Sequence, residues 1–324
     1  MGNITGAAVA KTAVDMVKTG NILDKATGAM GMLFPFAGIK QKAVEMYIAE
    51  IEKSDLSTET KVVMILNMKK LFKKLKNQKA IADIAMDNAK KGTNFTENSG
   101  VSEEWLERFM DSAGFVSSEA IQWIWGKILA NEFEKPGATP PNMIRILSEI
   151  TPELASAFRY ICNMSICIFP LNENGDIQSE FKELFVPYDK QYDEKFREIG
   201  VSFNVLNELE TLGVIRFEPL VGYVSAESIN DKVLICVGDK LDMVEEYTKG
   251  ELPIGSVMLT AVGEALRSIT DSVEIKDYYS MVKDYMSNRG VKFAEQHEFF
   301  TEINGGELKI CKKIHDSNNF LNST

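Results

Sequence analysis

Histidine is almost missing from this chain. His297 and His315 are the only imidazoles, and neither sits in an HExxH motif or a Cys/His cluster, so a dedicated zinc site and a His-assisted nucleophile both lack their usual parts. Cysteine is nearly as thin, with Cys162, Cys167, Cys236 and Cys311 and no CxxC pair among them. Three of the four lie in apolar runs, the pattern of reduced thiols in a cytosolic protein and not of a disulfide framework. No glycine stretch matches GxxxxGK[ST] or GxGxxG, which removes the common phosphate cradles. Long apolar runs are missing as well: the longest, GAMGMLFPFAGI from Gly28 to Ile39, falls short of the roughly 20 residues a spanning helix needs. The N-terminus shows no signal-peptide pattern, and Gly6 stands where a myristoylation motif requires Ser or Thr. No metal and no cofactor is expected, and the reading leans away from an enzyme.

What is present is an ordinary globular composition, 45% apolar and 26% charged over 324 residues, enough for a sizeable core in two or three domains. The net charge of −11 is unevenly spread. Residues 1–92 hold 15 lysines against 9 acidic residues, a net of +6, and the remainder carries −17. The basic part could meet an anionic surface or the acidic part of another copy.

Apolar spacing and turn residues divide the chain. Short helices are expected over 7–18 and 22–32, and a longer one over 38–53. A helix from Ser57 to about Lys91 follows without any interrupting Gly or Pro, and would run about 50 Å at 1.5 Å per residue. Residues 92–100 (GTNFTENSG) read as a linker. Helices over 102–113, 117–134, 140–149 and 152–163 form a compact helical region, with Thr139 and Thr151 as caps before Pro140 and Pro152. Strands are expected at 165–169, 180–186, 214–217, 233–237 and 257–259, helices at 203–212, 261–269 and 275–286, and a closing hairpin around Asn304-Gly305-Gly306. Leu206-x-x-Leu209-x-x-Leu212-Gly213-Val214-Ile215, later followed by Leu259-Thr260-x-x-Gly263-x-x-Leu266, looks like a winged-helix module. The fold class expected is α+β and predominantly α: a helical region over 1–92, a compact helical domain over 101–164, and a winged-helix-like domain over 165–324.

Few constellations carry chemistry. The run KKLFKKLKNQK places Lys69, Lys70, Lys73, Lys74, Lys76 and Lys79 on one helix. It reads as an anion-binding or partner-binding face, or as the solvated side of a helix packed through Leu71, Phe72 and Leu75. Met32, Leu33, Phe34 and Phe36 form a second candidate, a loop that inserts into a membrane or partner, or a tight packing corner. Trp105, Trp123 and Trp125 could line a pocket but fit a core better. Glu132, Glu134, Glu103 and Glu104 are the carboxylates nearest to an acid/base role, and helix-surface glutamates of this kind are common. On the winged-helix-like segment Glu208, Glu210 and Glu218 surround a nearly lone Arg216, so phosphate contact is disfavoured and protein contact favoured.

The order Trp125, Lys127, Ile128, Leu129, Ala130, Glu132, Pro136-Gly137, a capped helix and Ala157-Phe158 resembles the bacterial domain-of-unknown-function family 2806. It is similar, more loosely, to the abortive-infection alpha proteins of phage defence. Ser102-Glu103-Glu104-Trp105-Leu106-x-x-Phe109 and Ile121-x-x-x-Trp125 fit the same pattern, and the likeness covers about residues 20 to 165 closely and the C-terminal half in outline. Ala138 to Asn142 depart from it, standing where that family has a Ser-rich, Arg-containing turn. The resemblance implies antiviral defence and supplies no catalytic residue. The expected function is therefore non-enzymatic: a cytoplasmic defence protein that binds or senses, through a protein partner or self-association. The alternatives are a peripheral effector at an anionic inner-membrane surface and, less favoured, a nucleic-acid-associated regulator.

Overall fold

The computed structural model describes residues 41–89, 100–225, 232–248, 251–304 and 307–312. The fold is α+β and rich in helix. The chain divides into two compact units, Met1–Ala155 with Glu264–Ile269, and Ser156–Gly263 with Thr270–Thr324.

The first unit is helical. Helix α1 (Gln41–Lys53) turns at Ser54 into α2 (Thr58–Ala89), whose start is capped by Ser57 Oγ accepting from the Thr60 amide at 3.3 Å. Tyr47 and Ile51 of α1 pack on Met64, Ile65 and Met68 of α2, which joins the two helices as an antiparallel hairpin. Helices α3 (Glu103–Ala113), α4 (Glu119–Glu134) and α5 (Met143–Glu149) belong to the same unit. Its centre is Trp125, fully buried, with its ring 4.7 Å from Phe109 and its indole N–H donating to the Leu147 carbonyl at 3.2 Å. Gly126 lets α4 close on α2, because a Cβ there would meet Ile84 Cγ2 at 2.3 Å. Helix α5 begins three residues later than Pro140 suggests. Pro141 disfavours a helical conformation for Pro140, so the prolines form a turn closed by Met143 N–H to the Pro140 carbonyl at 2.9 Å. Thr151 does cap the next helix, α6 (Pro152–Asn163), its Oγ1 accepting from Leu154 at 3.2 Å.

The second unit is built on a five-stranded antiparallel sheet. Its strands are β1 (Ser165–Pro170), β2 (Phe181–Leu184), β5 (Val233–Val237), β6 (Lys240–Glu246) and β9 (Lys292–Phe293), in the order β2-β1-β5-β6-β9. Every residue of β5 is buried because both faces of the strand are covered. Val233, Ile235 and Val237 join Val282, Tyr285 and Met286 of a helix over Tyr278–Ser287, while Leu234 and Cys236 meet Phe299 and Ile310 of the hairpin β10 (Phe299–Asn304) and β11 (Glu307–Lys312). Cys167 and Cys236 face each other across β1 and β5 as free thiols. Burial pushes Cys236 up to about 11, with Cys167, Asp239 and Glu180 adding to it.

Between β1–β2 and the helix at 278 lie α7 (Asp193–Glu198), α8 (Phe203–Leu212) and two short strand pairs. Strand β3 (Ile215–Phe217) pairs with β8 (Val257–Leu259), and β4 (Tyr223–Val224) with β7 (Pro253–Gly255). Gly213 ends α8 in the left-handed region at φ 86. Thr260 then ties the start of α9 (Ala261–Arg267) back, donating to the Gly213 and Val214 carbonyls at 2.8 and 3.0 Å. Helix α8 leads into β3, and β3 pairs with β8, which leads into α9, but β4 to β7 intervene in the chain between β3 and β8. The chain between β3 and β8 also supplies β5 and β6 to the large sheet.

Candidate binding surface

Helix α2 changes character at Asn77. From Asn77 to Ala89 it buries Asn77, Gln78, Ile81, Ala82, Ala85 and Ala89; from Thr58 to Lys76 it buries none. The two carboxamides at the changeover explain how the helix enters the core. Asn77 Nδ2 donates to the carbonyl of Gly114, just past α3, at 2.9 Å, and Gln78 Nε2 donates at 2.7 Å to the Met110 carbonyl, which also accepts from the Gly114 amide at 3.1 Å. Gln122 of α4 completes the knot, donating to the Val116 carbonyl at 2.8 Å.

Among the described residues, the half of α2 before Asn77 uses one side against α1 and leaves the other open. Val62, Val63 and Leu66 are 50%, 56% and 52% exposed. On the same face, one to three turns on, come Lys69, Lys70, Lys73 and Lys76, all exposed. Glu59, Val62, Leu66, Lys69, Lys73 and Lys76 recur at alternating spacings of three and four, the period of a helix–helix seam. None of the four lysines has an ion-pair partner among the described residues. Lys74 and Lys79 belong elsewhere. Lys74 pairs with Asp111 of α3 and lies 5.3 Å over the Phe115 ring, and Lys79 pairs with Asp83 at 2.5 Å. Of the six lysines in the basic run, four therefore face outward together and two are engaged within the unit.

The remaining candidates resolve differently. Met32, Leu33, Phe34 and Phe36 lie outside the described residues. Glu132 is buried and structural: Oε1 accepts from the Gly137 amide at 2.6 Å and Oε2 from Thr139 at 2.9 Å, so the carboxylate folds the Pro136-Gly137 turn back onto α4. Glu104 pairs with Arg108 one turn along α3. Trp125 is core, Trp105 stacks on Phe109 at 4.9 Å, and Trp123 carries Lys127 over its ring at 4.9 Å. An open cleft of about 750 Å³ is lined by Gln78, Glu107, Arg108, Asp111 and Ile144. Its charged groups are largely spent on Glu104 and Lys74, although Gln78 Oε1 has no partner. Among the described residues no three His, Cys, Asp or Glu side chains cluster as metal ligands, and no helix is long and apolar enough to cross a membrane.

In the second unit, Leu220 and Val221 stand 86% and 77% exposed on the loop between β3 and β4. Sequence reasoning missed this feature, because two apolar residues beside Gly222 resemble any strand end. The acidic groups nearby are partly spent on structure: Glu210 Oε1 accepts from the Phe217 amide at 3.0 Å, and Glu218 Oε1 from Leu220 at 3.2 Å.

Residues 66–283 match the family model described as "Protein of unknown function (DUF2806)". No curated protein and no solved structure matches the chain. The matched segment begins at Leu66 on the open half of α2 and extends through β1, β2, β5 and β6 of the second unit's sheet into the helix at 278–287.

Proposed function

The chain belongs to the DUF2806 family, and we propose that it acts by binding and not by turnover, with the open face of α2 as its docking surface for protein. The observation that carries this reading is the contrast along one helix: Val62, Val63 and Leu66 remain about half exposed although nothing in the helix prevents their burial. Exposed aliphatic side chains at seam spacing, continued by four lysines without an ion pair among the described residues, are what an interaction helix presents. The carboxylates nearest to a catalytic role are occupied, Glu132 by two backbone amides and Glu104 by Arg108. The winged-helix-like segment is assigned to protein contact as well, since exposed Leu220 and Val221 sit beside Glu218.

The setting we assign is antiviral defence of the abortive-infection type, which rests on the Trp105 to Phe158 pattern and its resemblance to phage-defence proteins. The test is phage challenge of bacteria carrying the wild-type chain or Leu66→Glu at equal soluble levels. Protection by the wild type and its loss in the variant is the expected result. Equal protection by both contradicts the docking face, and no protection by either contradicts the defence setting.

A second reading has its own support in Lys69, Lys70, Lys73 and Lys76. Each lysine near an anionic bilayer contributes about 1 kcal/mol, so these four beside an apolar trio suit a peripheral membrane effector. Co-sedimentation with anionic and neutral vesicles at low and high salt tests it. Binding only to anionic vesicles, weakened by salt and by reversal of those four lysines, supports it; no sedimentation contradicts it.

A further inference from the structure

We infer that the occupant of the open α2 face is the same face of a second copy, packed antiparallel about Leu66. The inference rests on the reading of α2 as a binding face and names its partner. The face is ordered along the helix: Glu59 first, then Val62, Val63 and Leu66, then Lys69, Lys70 and Lys73, all exposed. Such a sequence of acid, apolar and base is self-complementary only when reversed. With Leu66 on the two-fold axis, residue positions that add to the same total face each other, as an isologous contact requires. Glu59 then meets Lys73 of the second copy, Val62 meets Lys70, and Val63 meets Lys69.

Each of these pairings has a physical reason. The Glu59 carboxyl is held below the usual range by its own backbone N–H and by Ser57, at the positive end of α2, so it is ionised when Lys73 approaches. Lys69 and Lys70 can lay their methylene stems over the opposing valines while the ammonium groups stay in water. A parallel pairing would instead place Lys69, Lys70, Lys73 and Lys76 against themselves and is excluded by like-charge repulsion. The contact runs about 21 Å from Glu59 to Lys73 at 1.5 Å per residue. Since each copy brings the α1–α2 hairpin, the assembled element is an antiparallel four-helix arrangement. Its small apolar area makes the dimer concentration-dependent.

Sedimentation equilibrium of the full chain over a range of protein concentrations tests this. The wild type is expected to show a reversible monomer–dimer equilibrium. Leu66→Glu, which sets two carboxylates against each other on the axis, is expected to raise the dissociation constant at least about tenfold. Glu59→Lys and Lys73→Glu should each weaken the dimer, and the double variant Glu59→Lys/Lys73→Glu should restore it, because every opposing pair is again of opposite sign. Circular dichroism checks that each variant is folded. A dimer that survives all these changes, or a double variant no better than the singles, overturns the antiparallel pairing.

A wild-type chain that stays monomeric overturns it too, and the same samples then say what else falls. A monomer that sediments with anionic vesicles, or that shifts duplex DNA in a salt-dependent way, through Lys69, Lys70, Lys73 and Lys76, keeps the binding face and replaces its occupant. A monomer whose face variants behave as wild type in every assay removes the binding face itself.

Discussion

The two halves of α2 are one helix with two fates. Both are rich in residues that favour helix, and both carry apolar side chains at helical spacing. From Asn77 onward the buried apolar positions are Ile81, Ala82, Ala85 and Ala89, and a glycine at 126 allows α4 to close on Ile84 and the Ile81 carbonyl beside them. Before Asn77 the side chains are larger, yet Val62, Val63 and Leu66 stay half exposed. Burial in this molecule is decided by what faces the helix. The hydrophobicity of the segment does not decide it. The packed half holds the unit together, and the open half is the proposed docking face.

Breaking the packed half should have the largest effect. Trp125→Ala removes the largest fully buried side chain of the first unit and should cost about 3–5 kcal/mol, read as a lower denaturant midpoint with reduced cooperativity. Glu132→Ala should follow. It strands the amides of Gly137 and Thr139, each worth about 1–3 kcal/mol when left unpaired, whereas an acid/base residue would lose activity with little change in stability.

The second unit should weaken in alkali. Cys236 sits at about 11 in the fold against an ordinary value of 9.0, so the unfolded chain releases its proton first. Stability is full below pH 9 and is lost as pH rises from there through 11, with Tyr188, pushed up to about 12 by burial and by Asp193, extending the fall. Denaturation of the wild type at a series of pH values shows this; a midpoint constant from pH 8 to 11 contradicts the burial of Cys236.

Smaller still is Lys74→Ala, which removes an exposed ion pair to Asp111 and should cost under about 1 kcal/mol. Leu66→Ser should change the stability of the monomer by no more than about 0.5 kcal/mol. A large loss at Leu66 would mean that the open half is core after all.

Most of the elements were legible in the sequence because their ends carry chemistry. Helix α8 is marked by the apolar face of Leu206, Leu209 and Leu212 and by Gly213, which stands in the left-handed region; the Ser202 Oγ that accepts from Val205 at 3.3 Å is a signal that sequence reasoning missed. The start of α2 is marked by Ser57, whose Oγ accepts from the Thr60 amide. The α+β class and the predominance of helix followed from such signals. Strand β6 was not legible: Lys240, Asp242, Glu245 and Glu246 make it look like a surface segment, and Asp242 is accommodated only because Tyr279 and Lys283 reach it at 2.6 and 2.8 Å. The lysine run was legible as a basic face. Its division into four outward residues and two internal pairs was not, since Asp111 lies 37 residues from Lys74. The exposure of Val62, Val63 and Leu66 was hidden for a simpler reason, that an apolar stripe at helical spacing reads the same whether it meets a core or waits for a partner.

A thiol introduced by Leu66→Cys measures directly whether a second copy covers the open face of α2. Its rate of alkylation, followed by the mass of the peptide that contains it, should fall as protein concentration rises and return to the free rate on dilution. A rate that is fast and independent of concentration would contradict the account, because the face would then be open in the protein as it exists in solution.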